Sequence, residues 1–320
     1  MTNEHQHERH ISDYPDAAVI FDDIHHQTGY VVGSDQDMHP DFVNFLAFHA
    51  KGLVAYGVSK DVQLRLDLPV MNRDGTDRNK EMLVSIDHVS TTTGISAAER
   101  AHSMQKSLAS DAAPEHFQRP GHVFPCLMAA GGLPERAGAA EAAFHLMQQQ
   151  RPESTSAVFC EILNTSGNIA SVEDIRELPA FTNTQVHFFS DLLQEALRQQ
   201  SWLEITEHIT APGSDGIHVL TVRDTLQHLT FKLYTTLEAS GTPQIVSYSP
   251  CEQGDLLRHG QCSCEAHFSD YYKQLQDREI DAIAFYSMQP LASPPSDSLT
   301  GIIHQQQQKL LEKHRVTASG

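Results

Sequence analysis

Three groups of side chains in this 320-residue chain have types and spacings that suit chemistry. Asp22 and Asp23 are adjacent carboxylates, which can ligate a divalent ion such as magnesium or move protons. Arg119 and Arg136 are fixed cations in an acidic chain, and a guanidinium is suited to hold a phosphate. Three of the five cysteines follow the spacing Cys-x10-Cys-x-Cys, and three soft thiolates suit zinc. These cysteines are Cys251, Cys262 and Cys264.

Three motifs in the first half of the chain occur in a fixed order. They are Thr-Thr-Gly-Ile-Ser-Ala-Ala-Glu-Arg at 92–100, Arg-Pro-Gly-His-Val-Phe-Pro at 119–125 and Cys-Glu-Ile at 160–162. Over residues 17–163 the chain resembles the 3,4-dihydroxy-2-butanone 4-phosphate synthases of riboflavin biosynthesis. That family converts ribulose 5-phosphate to formate and a four-carbon phosphate, with magnesium and a flexible acidic loop.

The resemblance implies roles for several residues of a sugar-phosphate pocket. Glu161 corresponds to a carboxylate that contacts the substrate, and Arg136 keeps the place of a phosphate-binding arginine. The shared motifs that line the cleft contribute Thr93, Arg119 and His122. Alternatively, residues 119–122 are retained because the fold needs this turn, with His122 donating to the backbone. Glu161 would then simply pair with Arg136 or Arg119 in the interior.

Two departures separate this chain from the family's catalytic pattern. After Asp23 the acidic loop becomes Ile-His-His-Gln-Thr-Gly-Tyr at 24–30, with no further carboxylate. Ala139 stands where the family has its metal-binding histidine, and Ala140 replaces a phosphate-binding threonine. These changes argue against magnesium in the N-terminal half. His25 and His26 could bind a softer metal such as zinc instead, or be solvated like the other scattered histidines.

The second half resembles a remnant of GTP cyclohydrolase II, to which the synthase is fused in many bacteria. The three-cysteine spacing and the intervening Gly254-Asp255 match that enzyme's zinc motif. Met-Gln-Pro-Leu at 288–291 stands in place of its Gln-Glu-Gly-Arg motif, and too little chain follows for the remaining nucleotide-binding segment. We therefore expect no GTP hydrolysis, but a zinc-stapled module for folding or interaction.

Composition limits the classes of partner. The chain has 22 Lys and Arg against 41 Asp and Glu, a formal charge of −19, which argues against nucleic acid and anionic membranes. An anionic ligand is still permitted where local cations override this field. The sequence has neither an apolar signal-peptide core near the N-terminus nor a membrane-spanning apolar run, so we expect a cytoplasmic protein.

The elements that would position these residues form two α/β domains. We predict a flexible tail over 1–15, a synthase-like domain over 16–205 and a smaller, truncated cyclohydrolase-II-like α/β domain over 216–320. The first should be a mixed sheet flanked by helices and, by resemblance, a homodimer. Apolar runs and capping signals predict the individual elements. The predicted strands are 18–21, 52–58, 82–89, 156–163, 186–189, 217–222, 229–237, 244–248 and 282–286. The predicted helices are 41–49, 96–108, 138–150, 190–198, 268–275 and 302–313.

Three functions are compatible with this sequence. The first is a diverged riboflavin-pathway homologue that keeps part of a sugar-phosphate pocket without either standard activity, in a binding, scaffolding or regulatory role. The second is an enzyme of a specialised pathway with altered chemistry on a pentose phosphate or related ketose. The third is a working dihydroxybutanone phosphate synthase.

Overall fold

The computed structural model describes residues 9–71, 80–210, 216–225, 229–237, 241–250, 268–286 and 297–318. The chain divides into two compact units, Met1–Ala196 (unit 1) and Leu197–Gly320 (unit 2). The division predicted from the sequence lies later, at 205–216. The difference arises because residues 203–210 form a strand that pairs with the sheet of unit 2 and is not a linker.

Unit 1 is a seven-stranded mixed sheet with helices on both faces. Its strands are β1 (Ala18–Asp22), β2 (Thr28–Ser34), β3 (Lys51–Val58), β4 (Ile86–His88), β5 (Phe117–Leu127), β6 (Ala157–Ile162) and β7 (Val186–Phe188). Its helices are α1 (Pro40–Phe45), α2 (Lys60–Arg65), α3 (Ala97–Leu108), α4 (Ala139–Gln150), α5 (Val172–Glu177) and most of α6 (Phe189–Gln199), which runs three residues past Ala196. The strand order is β4-β5-β3-β6-β2-β1-β7.

Alternate residues of the central strands feed two apolar cores, because successive side chains of a strand point to opposite faces. Val31 belongs to the core on one face, while Tyr30 and Val32 belong to the core on the other. All seven residues of β2 are buried, as expected for a strand in the middle of a sheet covered on both sides. α4 packs over β2 and β6, and this places its N-terminus beside the site described below.

Unit 2 contains a five-stranded mixed sheet in the order β11-β12-β10-β9-β8. Its strands are β8 (Leu203–Thr210), β9 (His218–Asp224), β10 (Leu229–Thr235), β11 (Ile245–Tyr248) and β12 (Ala282–Phe285). Its helices are α7 (Phe268–Gln276) and α8 (Asp297–Ala318). The predicted α/β fold, with a mixed sheet flanked by helices in the first half, is thus confirmed, and the second half adds a second mixed sheet.

The tail predicted over 1–15 is wrong for its second half. Ile11 and Tyr14 are only 2% and 7% exposed and belong to the core of unit 1. The ring of Tyr14 lies 4.9 Å from that of Phe42, and His10 Nε2 is 2.8 Å from the carbonyl oxygen of Thr182. Residues 1–8 lie outside the described part.

The strand predicted over 82–89 is shorter than expected. Only Ile86–His88 forms regular pairing, while Met82 and Leu83 make isolated bridges to Cys126 and Val70. The register between β4 and β5 shifts after Ile86, and Gly121 approaches the strand there so closely that a β-carbon would lie 2.0 Å from the carbonyl carbon of Ile86. This close approach requires glycine in the 119–125 motif.

Candidate functional site

A cleft of about 370 Å³ opens where three neighbouring strands of unit 1 meet the beginning of α4. Asp22 ends β1, Tyr30 lies in β2, and Glu161 lies opposite Tyr30 in β6. Gly138 and Ala139 contribute the N-terminus of α4. The cleft, called here the Glu161 cleft, is lined by Asp22, His26, Thr28, Tyr30, Lys80, Gly138, Ala139, Glu161 and Ile169.

Glu161 is held from two sides. Its Oε1 atom lies 2.8 Å from Lys80 Nζ, and its Oε2 atom accepts a hydrogen bond of 3.1 Å from the backbone N–H of Leu53. That N–H is available because the β3–β6 register shifts between Lys51 and Val54. Gly52 permits the approach, since a β-carbon there would lie 2.3 Å from the Glu161 carbonyl oxygen. The carboxylate is therefore fixed in the cleft, paired with Lys80 and not with Arg119 or Arg136.

The side chains of Asp22 and Asp23 both form hydrogen bonds that stabilise the fold. Asp22 is 2% exposed, and its carboxylate accepts from the backbone N–H groups of Ile24, His25 and His26 at 3.1, 2.8 and 3.2 Å. Asp23 accepts from the backbone N–H and hydroxyl of Ser190 at 3.0 and 2.6 Å, near the start of α6. The first carboxylate therefore fixes the loop after β1, and the second caps a helix.

Arg136 is committed to an ion-pair network beside α4. Its guanidinium lies 2.5 Å from Oε1 of the buried Glu141 and 3.1 Å from Glu81, and it also donates to the carbonyl of Leu127. Burial is the largest influence on Glu141 and raises its pKa, although Arg136 opposes it. Arg136 therefore has a structural role in unit 1 that its local sequence does not indicate. Arg136 is also not among the residues that line the cleft.

The 119–122 and 92–100 motifs lie together on a different part of unit 1. The backbone N–H and Nδ1 of His122 contact the buried carboxylate of Asp87 at 2.8 and 2.7 Å. Gly94, with φ +74°, packs so closely that a β-carbon would lie 2.1 Å from Asp87 Oδ2. The His122 ring therefore pairs with the Asp87 carboxylate, whereas the alternative interpretation had it donate to the backbone.

The two remaining predicted residues have local partners. Arg119 is exposed and donates to the carbonyl of Leu66, and Thr93 Oγ1 lies 3.4 Å from Glu99 Oε2. The backbone N–H of Thr92 donates to Glu99 and, with its hydroxyl, lowers the pKa of that carboxyl to about 2. Of the five residues predicted for one pocket, only Glu161 lies in the cleft.

Three cleft residues, Lys80, Thr28 and Tyr30, were not predicted from the sequence. Tyr30 could have been found, because it lies on the same face of the sheet as Glu161 once β2 is recognised as a strand. Lys80 carries no local signal, since its proximity to Glu161 spans 81 positions of sequence.

The carboxylates at the cleft do not fit magnesium, the ion that the resemblance implies. Magnesium requires near-octahedral oxygen ligands, usually including one or two free carboxylates. Both oxygens of Asp22 accept backbone N–H groups, and an ammonium lies 2.8 Å from Glu161. Ala139 offers only a methyl group. In the part of the chain that the structure describes, no cluster of three or more His, Cys, Asp or Glu side chains could hold a metal ion.

The cysteines of the predicted zinc motif, Cys251, Cys262 and Cys264, lie outside the described residues, so zinc stays a prediction. Cys126 and Cys160 are buried free thiols of unit 1. Burial raises the pKa of each to about 12. Both are therefore core thiols.

The comparisons with known proteins agree with this fold. Residues 15–195 match the 3,4-dihydroxy-2-butanone 4-phosphate synthase family, which is more than half of the chain. The riboflavin biosynthesis protein RibBA of Bacillus subtilis (strain 168) is 32% identical over 251 residues, 77% of this chain and 63% of the relative. RibBA of Bacillus mycoides (strain KBAB4) is 31% identical over 278 residues, 85% of this chain and 69% of the relative. The chain belongs to the 3,4-dihydroxy-2-butanone 4-phosphate synthase family of riboflavin biosynthesis.

A solved structure extends the likeness of fold across both units. RibBX, described as a two-domain 3,4-dihydroxy-2-butanone 4-phosphate synthase from A. baumannii, superposes with a TM-score of 0.66 at 22% identity. The superposition covers 95% of this chain and 86% of that one. None of the helices within the described ranges is long and apolar enough to cross a membrane.

Proposed function

We propose that unit 1 binds a phosphorylated sugar in the Glu161 cleft but does not release formate from ribulose 5-phosphate. One observation carries the proposal: the carboxylates of Asp22, Asp23 and Glu161 are all held by protein donors. The family's reaction needs carboxylates that ligate a metal and exchange protons with the substrate. The side chains of Asp22 and Asp23 cap a loop and a helix, and Glu161 lies beside an ammonium, so together they do not provide the metal site that the reaction needs.

Binding is supported by two features of the cleft lining, the ammonium of Lys80 and the beginning of a twelve-residue helix. They lie beside the carboxylates of Asp22 and Glu161, which are held by backbone N–H groups and by Lys80. Helix N-termini favour anions, since their first N–H groups have no intrahelical acceptor. A binding, scaffolding or regulatory protein would use this chemistry without turnover.

The test measures conversion and binding on the same preparation. With magnesium present, formate release from ribulose 5-phosphate should stay below about 1 per second, the lower part of the usual enzyme range. Ribulose 5-phosphate should raise the melting temperature, because at a hundredfold excess over its dissociation constant it adds about 2.7 kcal/mol to the free energy of unfolding. Ribulose, which lacks the phosphate, serves as the control ligand. Formate release in the enzyme range would reject the proposal and favour a working synthase.

A pair of matched variants locates the binding. Ile169 lines the cleft and is 48% exposed, so Ile169→Trp should narrow the cleft and weaken the ligand-induced shift. Leu64 on α2 is 67% exposed and lies away from the cleft lining, so Leu64→Trp should leave the shift unchanged. Equal shifts in both variants would place the ligand elsewhere.

The alternative function is altered chemistry on a pentose phosphate or related ketose. It is favoured by the opposed Lys80 and Glu161, an ammonium and a carboxylate in contact at the cleft. Such a pair can donate and accept a proton. Loss of the pentose phosphate by mass spectrometry without formate would select this alternative.

For the rest of the protein we propose that unit 2 binds a structural zinc ion and does not hydrolyse GTP, and that the protein forms a homodimer. The cysteine spacing supports the first, and the family resemblance supports the second. Sedimentation analysis of the full chain would test the dimer.

A further inference from the structure

We propose that the Lys80 ammonium is the fixed cation of the Glu161 cleft and replaces a divalent metal, so that the cleft takes an organic phosphate without a metal ion. This inference rests on the proposed function and names the group that recognises the ligand. None of the motifs that relate the chain to its family contains Lys80.

Lys80 has unused hydrogen-bonding capacity at the cleft. An ammonium has three N–H donors. Among the described residues, Nζ has one acceptor, Glu161 Oε1 at 2.8 Å. The side chain is 25% exposed and lines the cleft, so the remaining donors are accessible to a ligand. A lysine ammonium is also a compact point charge, which suits a phosphate oxygen.

The other cations predicted for this role are engaged elsewhere. Arg136 pairs with Glu141 and Glu81, and Arg119 donates to a backbone carbonyl at a distance from the cleft lining. Within the described ranges, Lys80 is the only lysine or arginine that lines the cleft. An anionic ligand in a chain of net charge −19 needs such a local cation.

A divalent ion at Glu161 would conflict with this arrangement. The Glu161 oxygens already accept from Lys80 and from the Leu53 N–H, and Asp22 accepts three backbone N–H groups. A metal bound to Oε1 would also lie beside the ammonium and be repelled by it. The same positive charge instead attracts a phosphate, together with the N-terminus of α4 at Gly138 and Ala139.

Glu161 then acts as an internal competitor for the ammonium. It holds Lys80 in the cleft but neutralises part of its charge. Glu161→Gln keeps the size of the side chain and removes the competing negative charge. The variant should therefore bind a phosphate ester more tightly, whereas loss of a carboxylate that ligated a metal would weaken binding.

Calorimetric titration of the full chain with ribulose 5-phosphate and with inorganic phosphate tests the proposal. The ribulose 5-phosphate affinity should be the same in EDTA and in magnesium. Lys80→Met should lower it by about tenfold to a hundredfold, the value of a hydrogen bond to a charged group. Lys60→Met is the matched control, since Lys60 contacts Gln63 on α2 away from the cleft lining. Glu161→Gln should raise the affinity severalfold, and melting of each free variant checks folding.

The outcomes separate this inference from the proposed function. Binding that requires magnesium, or that is indifferent to Lys80→Met, overturns the role of Lys80 while the proposed function stands. Weaker binding in Glu161→Gln with normal folding also overturns it. If neither probe binds any variant, Glu161→Gln included, the proposed function fails and this inference fails with it.

Discussion

Replacing Arg136 with alanine should destabilise unit 1 strongly, because it leaves a buried carboxylate without its cation. Glu141 is 2% exposed, and Oε1 accepts from Arg136 Nε at 2.8 Å and Nη2 at 2.5 Å. After the substitution its principal remaining donor is the backbone N–H of Ala129 at 2.8 Å. Removing one partner of a buried ion pair costs about 3–5 kcal/mol.

The expected shift in melting temperature follows from the size of the unit. For a domain of about 150–250 residues, 1 kcal/mol corresponds to about 2–4 °C, so Arg136→Ala should melt about 6–20 °C lower. Scanning calorimetry of the full chain at neutral pH measures the shift. Arg119→Ala is the control, because this exposed arginine has one bond to a backbone carbonyl and should cost about 1 kcal/mol.

The effect should depend on pH in a defined direction. Burial raises the pKa of Glu141, and Arg136 opposes that rise, so the variant has a still higher folded pKa. A carboxyl group whose pKa is higher in the folded than in the unfolded protein stabilises the fold at pH values below its unfolded pKa. This contribution to the free energy of unfolding is lost as the pH rises through the folded pKa. The deficit of Arg136→Ala should therefore be largest at neutral pH and smaller near 4.5, the ordinary value for this carboxyl.

A double variant separates the charge from the packing. Arg136→Met with Glu141→Leu removes both partners and should recover most of the lost stability, since apolar replacements of buried ion pairs are often neutral. If Arg136→Ala melts within about 2 °C of the unmodified protein, less than the shift for 1 kcal/mol, the buried pair is not the structural element inferred here.

Three further predictions concern other parts of the chain. Gly94→Ala should destabilise unit 1 more than Gly132→Ala by urea unfolding: both have positive φ, but only Gly94 meets Asp87 within 2.1 Å, whereas Gly132 has nothing within 4 Å. Equal losses of unfolding free energy would show that the positive φ alone, and not the close approach to Asp87, causes the destabilisation. Cys126 and Cys160 should resist iodoacetamide at pH 8 in the native protein and react in urea, because their pKa values of about 12 keep them as thiols. Peptide mass spectrometry of the native sample showing either thiol alkylated would contradict this. Elemental analysis should find about one zinc per chain, and replacing the three motif cysteines with serine should remove it. An undiminished zinc content in that variant would show that the cysteine spacing is accidental.

Local signals in the sequence predicted most elements of the fold. Ser96 and Glu99 predicted the start of α3, and Ser96 Oγ indeed accepts from the Glu99 N–H at 3.2 Å. Strand β2 was missed because residues 24–30 were compared with a catalytic loop, although Thr28–Ser34 is fully buried. β8 was missed because its charged residues resemble a linker; a register shift between Ile205 and Glu207 interrupts its alternation.

The site was harder to predict than the fold, because its composition is decided by tertiary contacts. Glu161 was singled out by its motif, and the structure places it in the lining of the cleft, while its contact with a substrate stays a prediction. Arg136 was assigned to the ligand because the burial of Glu141, five residues away, could not be read from the sequence. Lys80 lies 81 positions from its partner and outside every motif, so only the folded chain brings the two together.

Binding without turnover is tested most directly by following uniformly ¹³C-labelled ribulose 5-phosphate by NMR in the presence of the full chain and magnesium. The sugar resonances should broaden or shift on binding and keep their total intensity, with no formate signal. At the same concentrations Lys80→Met should broaden these resonances less, because its affinity is lower. Growth of a formate resonance at the expense of the sugar would contradict the proposal that the cleft binds this substrate class without performing the family's reaction.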